Sequence, residues 1–273
     1  GALMVLPNAV LNLSGGGGKE LYAALTNAGT INWTNAGYLR LINYAPYGYS
    51  GAIHNLTGAL FNIQNDQPLY NYYGNEFFHN AGTVRKTAGP GTTTISVAFT
   101  NSGAVSVQTG TINFGQGGSF GGVLEAAAAG TAINFNGGGS LTGTLTAAAG
   151  ATLSLAGGAF TYGPSLVFNG AGVSRMTGGS LTLLENVIPN LQLLGGTVSL
   201  SPAFQGGSIT NLSLNGATLA GTNTVSGSFN CGGGASGRLL VAGGATVNWT
   251  AGGISGALMV LPNAVLNLSG GGG

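Results

Sequence analysis

The 273-residue chain carries 54 glycines, 44% hydrophobic and only 4% charged residues, and a formal net charge of +1. That balance excludes a disordered chain, which would be charged and poor in apolar residues. It also excludes collagen, since glycine does not fall at every third position, a basic stripe for nucleic acid or a polybasic membrane anchor, and a membrane-spanning helix, which needs ~18–20 consecutive apolar residues.

Residues 1–18, GALMVLPNAVLNLSGGGG, return unchanged as residues 256–273. Structural repeats drift in sequence, so an identical block reads as the start of a second period. The period is 256 − 1 = 255 residues, and the chain reads as one period of a tandem array plus the opening of the next. Inside the block, Val10-Leu11-Asn12-Leu13 alternates apolar and polar residues, the mark of a strand with one buried face. Thr30-Ile31-Asn32-Trp33 follows with the same pattern. Asn-x-Gly triplets at Asn27-Ala28-Gly29, Asn35-Ala36-Gly37, Asn80-Ala81-Gly82 and Asn101-Ser102-Gly103 predict tight corners with left-handed backbone at glycine.

Residues 36–99 break the regular spacing. They hold seven of the nine tyrosines, Tyr38, Tyr44, Tyr47, Tyr49, Tyr70, Tyr72 and Tyr73, with His54, His79, Phe77 and Phe78. Pro46 and Pro68 mark excursions. This stretch reads as coils decorated with loops, where solenoids place binding surfaces. The seven tyrosines are the candidate surface-binding residues, because aromatic faces stack on sugar rings or on another fibre at low entropic cost.

Residues 100–255 are regular and glycine-rich. Double glycines begin at Gly117, Gly137, Gly157 and Gly178, in steps of 20, 20 and 21. A bulky apolar residue follows each: Phe120, Leu141, Phe160 and Leu181. Alternating segments precede the first three: Thr111-Ile112-Asn113-Phe114, Ala132-Ile133-Asn134-Phe135 and Thr152-Leu153-Ser154-Leu155. The pattern reappears at Thr197-Val198-Ser199-Leu200 and Thr246-Val247-Asn248-Trp249. Stacked coils would align Ile112, Ile133 and Leu153 in one inward ladder and Phe114, Phe135 and Leu155 in the next. The run Glu125 to Ala129 is too short and too glycine-bounded for a helix.

Short strands at this spacing predict an all-β protein, a right-handed parallel β-helix. A strict hexapeptide repeat, which the left-handed form favours, is absent. Dividing the period by ~21 residues gives about 12 coils, rising roughly 58 Å at ~4.8 Å per strand. Residues 1–273 are expected to form one continuous segment, with loop-decorated coils over 36–99, regular coils over 100–255 and the next period starting at 256. No capping segment is expected at either end.

Chemistry is sparsely encoded. Asp66 and the glutamates Glu20, Glu76, Glu125 and Glu185 are far apart in sequence, whereas glycoside hydrolysis needs two carboxylates facing one bond. His54 and His79 could share one face, but two histidines make a weak metal site. Cys231 is the lone cysteine, readable as a small semi-buried residue or as a cross-link to another fibre. No enzyme, cofactor or metal is expected.

The segments HNAGTVRKTAGPGTTTISVAFTNSGAVSVQTGTINF (79–114) and GGATVNW (243–249) resemble repeats of giant secreted bacterial β-helix proteins, the autotransporter-like and filamentous-haemagglutinin-like surface proteins. The resemblance implies a right-handed β-helix, export to the cell surface or beyond, and a fibre or adhesive role. The expected function is therefore a structural repeat of an extracellular fibre or tether. The alternative is a surface adhesin that binds glycan or a partner surface through its tyrosine-rich loops. Expected partners are identical repeats along the same chain, with neighbouring fibres or surface glycans in addition. No nucleic acid and no membrane insertion of this segment are expected.

Overall fold

A computed structural model describes residues 2–34 and 37–270. The chain is a parallel β-solenoid of about 13 turns. Apart from strands, the described residues hold two short 3-10 turns, Ala45–Tyr47 and Phe204–Gly206. No helix among the described residues is long and apolar enough to cross a membrane. Two compact units are distinguished, residues 1–154 with 162–174, and residues 155–161 with 175–273.

In the first unit each coil contributes one strand to each of three parallel sheets. The first sheet runs Leu3–Val5, Leu25–Asn27, Ile53–Asn55, Phe77–Asn80, Ala98–Asn101, Gly118–Phe120 and Gly139–Leu141. The second begins Val10–Leu13, Thr30–Thr34, Leu60–Gln64 and Thr83–Lys86, and the third Lys19–Leu21, Leu39–Leu41, Leu69–Asn71 and Thr92–Ser96. Alternation sends every second residue inward. Ile112 pairs with Ile133 and Phe114 with Phe135 in register, and all four are fully buried. Phe120 and Leu141, the residues after the double glycines, are likewise inward and paired. Each such side chain stabilises the solenoid by roughly 1.5–3 kcal/mol, and the rings of Phe78, Phe99, Phe114, Phe120 and Phe135 touch in a continuous series.

The alternating motif does not mark one face, however. Thr30-Ile31-Asn32-Trp33 lies in the second sheet and Thr111-Ile112-Asn113-Phe114 in the third. Within the second unit, Thr197-Val198-Ser199-Leu200 pairs with Ser180–Leu183. Alternation specifies only which residues turn inward, and any of the three sheets satisfies that demand.

The Asn-x-Gly triplets do something other than turn left-handed corners. Gly29, Gly82 and Gly103 are absent from the positive-φ glycines. A Cβ on Gly103 would instead collide with the carbonyl oxygen of Gly82 in the coil beside it. Glycine is needed there for close approach of stacked backbones. The asparagines turn inward and form a buried amide ladder. Asn27 Nδ2 donates to Asn55 Oδ1 (2.7 Å), Asn55 Nδ2 to Asn80 Oδ1 (2.7 Å) and Asn80 Nδ2 to Asn101 Oδ1 (2.6 Å). The second amide proton of each goes to a main-chain carbonyl, of Leu60, Thr83 and Ala104 respectively. The triplet at 35–37 has Asn35 and Ala36 outside the described residues.

The second unit is less regular. Ser180–Leu183, Thr197–Leu200, Thr218–Ala220 and Gly234–Ser236 stack in one sheet. The long strand Asn223–Cys231 pairs with both Leu239–Val241 and Thr246–Trp249, which merges two faces. Those strands in turn pair with Leu258–Val260 and Val265–Leu268.

The repeated block folds the same way in both places. Leu3–Val5 and Val10–Leu13 are strands in the first copy, and Leu258–Val260 and Val265–Leu268 in the second. The turn between them is left-handed at Asn8 (φ 64°) and at Asn263 (φ 65°). It is closed by Ala9 N donating to Leu6 O (3.0 Å) and Ala264 N to Leu261 O (3.1 Å).

Candidate functional site

The decorated coils are longer than the rest. Successive rungs of the inner asparagine ladder are 28 and 25 residues apart at Asn27–Asn55 and Asn55–Asn80, then 21 at Asn80–Asn101. The extra length is spent on two tyrosine-bearing excursions. In the first, Tyr44 and Tyr49 are tied by Tyr49 N donating to Tyr44 O (3.2 Å), with Gly48 left-handed at φ 69°. The second spans Tyr72, Tyr73 and Gly74.

One carboxylate holds the two together. Glu76 is buried at 1% exposure. Its Oε1 accepts the main-chain N–H groups of Asn43 (2.9 Å), Tyr73 (3.0 Å) and Tyr72 (3.3 Å), and its Oε2 that of Gly74 (2.7 Å). Burial alone would raise its pKa, but the N–H donors of Asn43, Tyr73 and Gly74 outweigh it and hold the carboxyl below its ordinary value. In the sequence Glu76 is one of five scattered carboxylates. The structure makes it the anchor of the aromatic loops.

All seven candidate tyrosines come together in the first unit. Tyr44 stacks on Tyr73 (4.3 Å between ring centroids) and touches Tyr47 (5.2 Å), which meets Tyr49 (5.8 Å). Tyr73 meets Tyr72 (4.7 Å), and Tyr38 meets Tyr70 (5.3 Å). The Arg40 guanidinium joins these groups, 5.1–5.8 Å from the ring centroids of Tyr72, Tyr38 and Tyr70. An ion pair with Glu20 holds Arg40 in place. Tyr22, which lies outside the 36–99 stretch and was missed, completes the cluster by its ring contact with Tyr49 (4.8 Å) and its hydroxyl bond to Glu20 Oε2 (2.6 Å). A signal for it existed in the neighbouring Glu20, but only the coil register brings it beside Tyr49.

The result is an aromatic surface, not a buried cluster. Tyr47 is 69% and Tyr72 57% exposed. Beside it lies an open groove of about 570 Å³, lined by Leu3, Glu20, Tyr22, Tyr47 and Tyr49 among others. Planar rings flanking a carboxylate and a guanidinium can stack on a sugar or a planar apolar face and hydrogen-bond its rim.

The remaining candidates take other roles. His54 and His79 are register partners on neighbouring coils, with ring centroids 5.6 Å apart and Phe77 stacked on His79. Partial burial, and then His54, lower the pKa of His79. Among the described residues, no three metal-ligating side chains converge. Asp66 pairs with Lys86, whose fully buried ammonium also reaches Asn65 O, Ala88 O and Thr93 Oγ1. Cys231 is buried in an inward position, and that burial raises its thiol pKa.

No family model, curated protein or solved structure matches this chain.

Proposed function

We propose that the chain is a structural repeat of an extracellular fibre or tether, built as a tandem β-solenoid in which one period runs into the next. The observation that carries this reading is the eighteen-residue block, which takes up the same two-strand coil at both of its positions. Structural repeats drift, so a coil that returns unchanged marks the start of a second period, and a closed domain has no use for it. The solenoid fold and the scarcity of charge agree with a rod held by stacked backbone and side-chain ladders. The resemblance to secreted bacterial surface proteins supplies the extracellular setting. The test is electron microscopy of the native material on intact cells and in the medium. Rods with an axial repeat of roughly 58 Å, from ~4.8 Å per coil, support the reading. Discrete globular particles confined to the cytoplasm overturn it.

A second reading has its own observation. The exposed Tyr47 and Tyr72, with the groove beside Tyr22 and Tyr49, form a surface suited to glycan binding. Binding on a glycan array that is lost in Tyr72→Ala and Tyr47→Ala would make the repeat adhesive as well as structural.

A further inference from the structure

Four tyrosines of the two excursions form a row of touching rings with an inner pair and two outer members. Tyr44 and Tyr73 are the inner pair, their planes 15° apart and their centroids separated by 4.3 Å. Tyr47 touches Tyr44 on one side (5.2 Å) and Tyr72 touches Tyr73 on the other (4.7 Å). The two outer rings are the most exposed of the four, and Tyr44 is half-buried. Solvent-borne reagents therefore reach the ends of the row more readily than its middle.

The inner pair is also clamped. Glu76 Oε1 accepts the N–H of Asn43, the residue before Tyr44, and the N–H of Tyr73 itself. Both main chains are held on one oxygen atom, so neither ring has to search for the other. The spacing suits a covalent bond between the rings. Two phenols joined through their ortho carbons have ring centres about as far apart as these. A tilt of the rings, with the main chain left in place, brings the ortho carbons together. No disulfide can do this work, because the chain has a single cysteine and it is buried far from the loops in sequence, at position 231.

We propose that Tyr44 and Tyr73 are a site of oxidative modification, coupled through a peroxide-driven one-electron oxidant into a dityrosine that staples the two excursions within one chain. The exposed Tyr47 and Tyr72 meet the oxidant first. Each gives up one electron and its phenolic proton, then recovers both from the inner ring it touches, so the radicals settle on Tyr44 and Tyr73. The two phenoxyl radicals join through one ortho carbon of each ring. The hydrogen on each of those carbons moves to that ring's oxygen, which restores both phenols. In total, two tyrosines lose one hydrogen atom each and one molecule of hydrogen peroxide becomes two of water. The staple closes a loop of 73 − 44 = 29 residues and so constrains the unfolded chain as other cross-links do. It does covalently what the Glu76 carboxylate does by hydrogen bonds. It needs only the two loops of one chain and stands or falls independently of the fibre reading.

The test treats the full chain with a haem peroxidase and hydrogen peroxide. The expected product is monomeric on a denaturing gel, lighter by two hydrogen atoms and fluorescent as dityrosine. Digestion and mass spectrometry should give one main cross-linked peptide pair, joining Tyr44 to Tyr73. Phenylalanine keeps the ring but has no phenolic hydrogen to give. Tyr44→Phe and Tyr73→Phe should therefore each cut the intrachain yield by about ten-fold or more, the advantage of a positioned pair over chance encounter. Tyr38→Phe, in the separate contact with Tyr70, should leave the yield unchanged. Glu76→Gln keeps every phenol and should lower the yield as the loops part, while far-ultraviolet circular dichroism shows the solenoid intact. Cross-linking mainly between chains, a main cross-link at any other tyrosine pair, a yield indifferent to Tyr44→Phe, Tyr73→Phe or Glu76→Gln, or the absence of any coupled product overturns the proposal.

Discussion

Glu76 shows how one side chain sets a surface. It accepts four main-chain N–H groups from two loops, so Glu76→Gln should release the tyrosines it organises. Loss of charge-assisted bonds of this kind costs about 1.5–3 kcal/mol each at most, and we expect a total of about 2–4 kcal/mol because the loops relax towards water. Near-ultraviolet circular dichroism of the tyrosines should collapse while the far-ultraviolet β signal persists. The pH dependence has a definite sign. A carboxyl with a lowered folded pKa contributes its stability in full above the ordinary carboxylate value and loses it as pH falls through the lowered one. The wild-type tyrosine signal should therefore fade below about pH 4, and in Glu76→Gln it should already be weak at neutral pH. The buried ladder makes a second residue-scale test. Asn80 both accepts from Asn55 and donates to Asn101 and Ala104 O, so Asn80→Ala should cost about 2–4 kcal/mol by leaving buried amide groups unpaired. Asn12→Ala, in the exposed ladder, should cost under about 0.5 kcal/mol. Urea denaturation midpoints compare the two.

At the scale of the coil, backbone crowding is what fixes the glycines. Gly103→Ala places a methyl group against the Gly82 carbonyl of the adjacent coil, and coils that must part to admit it should lose about 1–3 kcal/mol. Gly58→Ala tests a different cause, since that glycine has open space around it but a left-handed φ of 82°. A shift in thermal midpoint for Gly103→Ala that a Gly103→Ser replacement deepens would support crowding. What sequence made visible at this scale was periodicity: the inward ladder of Ile112 and Ile133, the buried residues Phe120 and Leu141, and the tyrosine-rich departure from regular spacing. What it left hidden depends on register. Thr30-Ile31-Asn32-Trp33 and Thr111-Ile112-Asn113-Phe114 look alike yet lie in different sheets, because alternation carries no label for the face. Asn27 and Asn80 looked like corner residues because Asn-Ala-Gly is also good turn chemistry. Asn55, followed by Leu56 and Thr57, gave no hint of joining them. Glu76 and Tyr22 owe part of their roles to one partner a whole coil away each, Asn43 and Tyr49.

At the scale of the whole chain, the central claim is that residues 1–18 and 256–273 are one coil seen from its two sides. The atoms engaged with the following coil in the first copy, such as Leu3 N and Val5 O, have as equivalents Leu258 N and Val260 O, which by the alternation of a parallel strand point away from the strand Leu239–Val241 that the second copy pairs with. In a period followed by another, both sets would be engaged at once, and the apolar side chains now exposed at Val260 and Leu268 would be covered as Val5 is. Hydrogen–deuterium exchange on a covalent two-period chain measures this directly. At the junction, the Leu258 amide of the two-period chain should exchange as slowly as the Leu3 amide does in the single chain, where it donates to Ala24 O. Exchange at Leu258 as fast in the two-period chain as in the single one would contradict the account.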